Sequence, residues 1–198
     1  MYPKSLQNLI DEFAKLPSIG PKTAERFVFY LLKKSSGDLM SLSNAIAHLR
    51  DNIKLCRACF NYDETDPCSI CSDARRDHGI ICLVAKNQDI AAIEKTNLYH
   101  GVYHVLGGYI NPIENVMPHH IHLQELIDRV KKEKPKEIIL ALNPDSEGES
   151  TSSFILRLLK QFEGLKITRL ARGLPIGADL EYADEITLEN AINDRKEI

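Results

Sequence analysis

Four of the five cysteines fall as Cys56-x2-Cys59-x8-Cys68-x2-Cys71, and two such pairs joined by a short polar loop let four thiolates converge on one tetrahedral ion. Zinc is the expected occupant, one Zn²⁺ per chain, and four protein ligands leave no open position for water, so the expected role is structural rather than catalytic. The competing reading is a pair of disulfides or simple buried thiols. It suits neither a reducing compartment nor two Cys-x2-Cys pairs that flank a segment without an apolar face. Cys82 lies inside an apolar run and reads as a small core residue. The stretch Pro118-His119-His120-Ile121-His122 could chelate a metal, yet it has no Cys or carboxylate pattern beside it and reads as a solvated loop.

Two further clusters carry charge that could do chemistry. Lys22 and Arg26 lie four apart, hence on one face of a helix, just after the turn Pro17-Ser18-Ile19-Gly20-Pro21, and could make charge-assisted contacts to one phosphate strand. The competing reading is an ordinary helical corner with solvated bases. Asp145, Glu147 and Glu149 follow the apolar run 138–142, at the carboxyl end of an expected buried strand, where open α/β sheets place their ligands. They read either as a helix amino end stabilised by its dipole or as a protein-docking surface. No catalytic residue is expected.

These clusters need elements to position them. Leu6, Leu9, Ile10 and Phe13 recur at helical spacing, as do Ala24, Val28, Leu31 and Leu32, then Leu42, Ala45, Ile46, Leu49 and Ile53, which predicts three amphipathic helices over the first 55 residues. The break at 17–21 puts Gly where a positive φ is cheap and Pro where the first helical turn needs no donor, giving a tight helical hairpin. From Cys56 to Asp77 the apolar pattern stops. After Gly79, apolar runs at 80–84 and 138–142 alternate with helical patterns at 89–95, 123–132 and 152–162, which predicts an α/β unit with a mainly parallel sheet. The tail adds a strand around Ile167 and Leu170, a Gly/Pro loop at 173–177 and a short helix near 188–192. The expected fold class is therefore α/β with a small all-α N-terminal domain. There is no internal repeat.

The 198 residues are 43% hydrophobic and 27% charged, which excludes fibrous, disordered and membrane-embedded classes. No apolar run approaches the roughly 20 residues that span a bilayer, and the start lacks the layout of a signal peptide, so a cytoplasmic location is expected. Net charge is only −3, but it is unevenly spread. Between Lys15 and Lys34 five bases face one acid, whereas from Glu181 onward six acids face two bases.

Leu16-Pro17-Ser18-Ile19-Gly20-Pro21-Lys22-Thr23-Ala24 resembles the helix-hairpin-helix motif, in which backbone N–H groups at the turn meet a DNA phosphate without reading bases. The segment Asn143-Pro144-Asp145-Ser146-Glu147-Gly148-Glu149 looks like the second acidic motif of a Toprim domain, a Mg²⁺-binding unit. Here, however, Asn143 stands where that motif has its first Asp, and Ala85 stands where the domain has a Glu after its first strand. A hard cation wants several anionic oxygens, and phosphodiester chemistry wants that missing acid or base. Lys86, placed in the same crevice, would oppose a cation further.

With hairpin, cysteine module, altered Toprim unit and tail in that order, the chain is similar over nearly its full length to the RecR family of bacterial recombination mediators. The match includes Tyr103-His104-Val105-Leu106-Gly107-Gly108 and the run from Gly173-Leu174-Pro175-Ile176-Gly177 to Asp184. Departures are Ala85, Arg172 and Ala178, where the family often has Glu, His and Gly. The resemblance implies a helix-hairpin-helix domain over 1–55, a C4 zinc finger over 56–71, a Toprim domain over 79–174 and an oligomerisation segment over 175–198. It implies a non-enzymatic protein that binds DNA without sequence preference through Gly20, Lys22 and Arg26. Such a protein acts with RecO, and in some bacteria RecF, to help load RecA onto gapped single-stranded DNA covered by single-strand-binding protein. It implies a ring, commonly a homotetramer, and a docking role toward basic RecO for Asp145, Glu147 and Glu149. The alternatives are a Mg²⁺-dependent Toprim nuclease or nucleotidyl transferase, and a zinc-dependent adaptor that never touches DNA.

Overall fold

A computed structural model of the chain describes residues 2–195, which divide into two units at the boundary between Ile53 and Lys54. In the first unit, α1 (Lys4–Ala14), α2 (Pro21–Leu31) and α3 (Ser36–Ala47) form because apolar residues recur at helical spacing. Ile10, Ala24 and Val28 are buried against Leu6, Phe13, Ala14 and Ile19, so a small core joins α1 to α2. The Ser35 hydroxyl accepts the Asp38 N–H at 3.1 Å and starts α3. That helix ends at Ala47, earlier than the apolar spacing to Ile53 predicts, and buries none of its residues. The hairpin turn departs from expectation in one detail. The left-handed residue is Ser18, at φ 64°, while Gly20 is extended at φ −81° and serves as the N-cap of α2.

The second unit opens on a two-stranded antiparallel hairpin, β1 (Lys54–Leu55) and β2 (Tyr62–Asp63), followed by the single-turn helix α4 (Ser69–Ser72). A four-stranded parallel sheet follows: β3 (Asp77–Val84), β4 (Gly101–Val105), β5 (Glu137–Ala141) and β6 (Lys166–Arg169), in the order β4-β3-β5-β6. Between and after them run α5 (Asn87–Glu94), α6 (Leu123–Glu133), α7 (Ser146–Leu159) and α8 (Glu185–Asn193). The central strand β3 buries both its faces, as parallel sheets do. Ile81 and Leu83 pack with Leu126 of α6 and Ile155 of α7, while Cys82 and Val84 pack with Ile90 of α5.

Strand β4 is an edge strand, yet all five of its residues are buried. Three of its outward backbone groups are met: Arg76 Nη1 donates to the Gly101 carbonyl at 3.1 Å, Arg129 Nη1 donates to the Tyr103 carbonyl at 2.7 Å, and the Val105 N–H donates to the Cys59 carbonyl at 2.8 Å. An edge that would otherwise template pairing with another chain is thus covered. The apolar pattern does not predict this strand, because His104 interrupts it. Among the described residues no helix is long and apolar enough to cross a membrane. Of the expected tail segment, residues 196–198 lie outside the described residues.

Candidate functional site

The cysteine module is built by turns rather than by apolar packing. Cys56 follows β1, its N–H donates to the Asn61 carbonyl at 2.8 Å, and its carbonyl accepts the Phe60 N–H at 2.8 Å, folding the first Cys-x2-Cys pair into a knuckle. Cys68 caps α4 and Cys71 lies within it. Backbone N–H groups of Cys68 and Cys71 point at the sulfurs of Cys56 and Cys68, at 3.4 Å each. The polar stretch between the pairs is held by its own carboxylates. Asp63 accepts the Ser69 N–H and hydroxyl at 2.8 and 2.7 Å, and Asp66 accepts the Arg57 N–H and Nε at 3.0 and 2.5 Å.

All four cysteines are free thiols, and their sulfurs lie within 4.8 Å of one another. The 3.5 Å between the Cys59 and Cys68 sulfurs is close to the edge of about 3.8 Å that a tetrahedron of Zn–S bonds requires. Mutual thiol hydrogen bonds hold Cys68 below the ordinary thiol value and push Cys59 up. The donor set fits Zn²⁺. Among the described residues, these four cysteines are the one cluster of three or more His, Cys, Asp or Glu side chains able to hold a metal ion.

The module is joined to the sheet. Besides the Cys59–Val105 bond, Asn87 Nδ2 donates to the Phe60 carbonyl at 3.0 Å. The Phe60 ring stacks on His122 at 3.8 Å and meets His104 edge-on at 5.4 Å. His104 Nε2 donates to the His122 carbonyl at 2.7 Å, and burial pushes the imidazole down to about 3, so the ring is neutral. His122 is therefore a packing residue, in contrast to the solvated loop expected for it, whereas His119 and His120 are exposed.

At the helical hairpin, Thr23 and Ala24 turn their N–H groups back to the Gly20 carbonyl at 3.0 Å, and Pro21 has none. Gly20 and Lys22 have the amides without a backbone partner at this end of α2 among the described residues. A Cβ at Gly20 would meet nothing within 4 Å, so the approach to those amides is open. Lys22 and Arg26 are on α2, Lys22 exposed and Arg26 exposed, and neither is in an ion pair among the described residues.

The acidic cluster is the N-cap and first turn of α7, which starts at Ser146, six residues before the predicted start. Asp145 Oδ1 accepts the Gly148 N–H at 2.8 Å, and Glu147 Oε1 accepts from Asn111 Nδ2 at 2.7 Å. Glu149 is ion-paired with Arg172, and Arg169 Nη1 lies 3.6 Å from its other oxygen. Both arginines line a cleft of about 290 Å³ with Asn143 and Ser152 at the carboxyl ends of β5 and β6. Sequence reasoning misses them because their partner is more than 19 residues away in the chain and no spacing rule links the two.

Four family models match in order: RecR helix-hairpin-helix over residues 6–50, the RecR zinc finger domain with four cysteines over 53–73, Toprim domain over 79–171 and RecR C-terminal over 173–196. The chain is 50% identical over 197 residues to a protein of Bifidobacterium adolescentis named Recombination protein RecR, covering 100% of this chain and 98% of that one. Proteins of the same name from Staphylococcus haemolyticus and Thermosynechococcus vestitus are 47% and 45% identical, with 99% and 97% of their lengths covered. The four-cysteine module is a zinc-finger module of this type, and the chain belongs to the RecR family of recombination proteins.

Proposed function

We propose that this protein is a DNA-binding mediator of recombinational repair in the cytoplasm, which binds DNA without sequence preference and performs no bond chemistry on it. With RecO, and with RecF where present, it helps load RecA onto gapped single-stranded DNA. The observation that carries the reading is the full-length match to proteins named Recombination protein RecR, with all four modules in order.

The geometry at the hairpin supports this reading. Gly20 leaves room for a phosphate at the amides that open α2, and Lys22 and Arg26 neutralise the same strand. A homotetrameric ring, with residues 175–198 as an assembly segment, would multiply these weak contacts around one DNA. Asp145, Glu147 and Glu149 form the docking face for basic RecO. When bound, zinc supplies a fixed charge that ties Cys56, Cys59, Cys68 and Cys71 together and takes no part in chemistry. A Toprim nuclease or nucleotidyl transferase is disfavoured by Ala85, which is fully buried, and by the uncharged Asn143.

The test is DNA binding by the double variant Lys22→Ala, Arg26→Ala across a salt series. We expect weaker binding on every sequence and a shallower dependence of log K on log salt, by about 0.7 to 0.9 for each phosphate no longer neutralised. Unchanged affinity and slope would remove the hairpin from the mechanism.

A further inference from the structure

Helix α2 presents an aromatic ring among its cations. Tyr30 follows Lys22 by eight residues and Arg26 by four, so the three share one side of the helix over about 12 Å. Its exposure is 59%, and Lys34 Nζ lies 4.7 Å from the ring centroid. The other two aromatics of the helix are engaged elsewhere: Phe27 meets Phe13 edge-on at 5.9 Å, and Phe29 meets Tyr2 at 5.5 Å. Among the described residues Tyr30 has no aromatic partner. The nearby acid is also occupied, because the Tyr2 hydroxyl donates to Glu25. Lys22, Arg26, Lys33 and Lys34 form no ion pair among the described residues.

Uncompensated cations that flank an exposed aromatic ring suit one class of ligand. In a duplex the base faces are already stacked on one another, so Tyr30 would gain no stacking partner. An unpaired base offers a π-face to the ring while its flanking phosphates meet the cations. We propose that the α2 face carrying Lys22, Arg26 and Tyr30, continued by Lys34 just past the end of the helix, is a strip for single-stranded nucleic acid, on which Tyr30 stacks a base. The proposal rests on the reading of the hairpin as a DNA-binding element and adds to it the class of strand and the residue that selects it.

The experiment uses the full-length zinc-loaded protein, a fluorescein-labelled thymidine oligonucleotide and a duplex of the same length, with affinity read by anisotropy and oligomeric mass by light scattering. Tyr30→Ala is expected to weaken oligonucleotide binding about 5- to 150-fold, the range for removing one base stack, and to leave duplex affinity unchanged. Tyr30→Phe keeps the ring and is expected to keep the affinity. The chain has no tryptophan, so Tyr30→Trp provides a single tryptophan, excited selectively over the tyrosines, whose fluorescence the oligonucleotide should quench and the duplex should not. Equal losses on both ligands, no loss on either, or a fall in oligomeric mass with Tyr30→Ala would overturn the proposal, the last by assigning the ring to contact with a second copy. If Tyr30→Ala is silent while Lys22→Ala, Arg26→Ala still weakens both ligands, the stacking strip falls and the hairpin reading stands. If the double variant is silent too, both fall.

Discussion

A Cβ added at Gly148 would lie 1.9 Å from the Asn143 carbonyl oxygen, whereas one added at Gly20 would meet nothing within 4 Å. The two glycines thus answer different demands. At Gly148, α7 packs so closely on the turn after β5 that a methyl group must push backbone aside, and Gly148→Ala is expected to cost about 1–3 kcal/mol or more, read as a lower melting temperature. Gly20→Ala should cost about 1 kcal/mol or less, since only the N-cap preference is lost, yet weaken DNA binding by placing a methyl group beside the open amides. Among the acids, Asp145 and Glu147 are held by single hydrogen bonds, but Glu149 faces two arginines. If Glu149 helps to dock a basic partner, Arg172 competes with that partner. Arg172→Ala should then speed association with RecO, more so at low salt, as stopped-flow mixing would read; an unchanged rate would take Glu149 off the docking face. Residue types at these positions are legible in the sequence, and their pairing is not. Cys56, Cys59, Cys68 and Cys71 disclose one another by spacing, but nothing in the sequence ties Arg169 or Arg172 to an acid in an earlier helix.

Strands β3 and β5 are legible as apolar runs because each is covered on both faces by its own unit's helices. Strand β4 packs into the same two clusters but is not legible, because His104 interrupts its apolar run and its outward edge is met by groups distant in the chain: the guanidinium groups of Arg76 and Arg129, and the carbonyl of Cys59. Arg76 is held for this task by Glu94, at 2.5 Å, and that guanidinium in turn lowers the Glu94 carboxyl below the usual range. The cysteine module and the sheet edge are therefore directly bonded to each other. Removing zinc with a chelator should unfold that segment, since it has little apolar surface of its own, and should also release the Val105 amide. Hydrogen exchange at Val105 is expected to accelerate on chelation while Ile81 and Leu83, in the middle of the sheet, stay protected. Retained protection at Val105 would mean that α6 alone covers the edge. Arg129→Met offers a metal-independent check, because it leaves the Tyr103 carbonyl buried without a donor and should cost about 1–3 kcal/mol.

At the scale of the molecule, a formal charge of −3 sits awkwardly with a polyanion as ligand, and the proposed assembly would resolve the conflict by bringing several cationic hairpins to one DNA. The surface is consistent with a chain that associates. Helix α3 exposes Leu39, Met40, Leu42 and Ile46, and the tail exposes Ile176, Tyr182, Ile186 and Ile192. In the tail, α8 starts on an Asp184 cap whose carboxylate accepts the Thr187 N–H at 2.9 Å, so the helix has its own local start and does not depend on the sheet for it. Ile186→Asp should therefore leave the fold intact while introducing a charge where an assembly contact would have to be apolar. The expected outcome is a smaller particle by sedimentation, an unchanged melting profile for the sheet, and a loss of DNA affinity of up to about 10²- to 10⁴-fold as avidity disappears. Mass and affinity falling together distinguish this from two other outcomes. If affinity falls while mass is unchanged, α8 itself touches DNA. If mass falls while affinity is unchanged, each hairpin binds on its own, and the acidic balance of the chain is of no consequence to the grip.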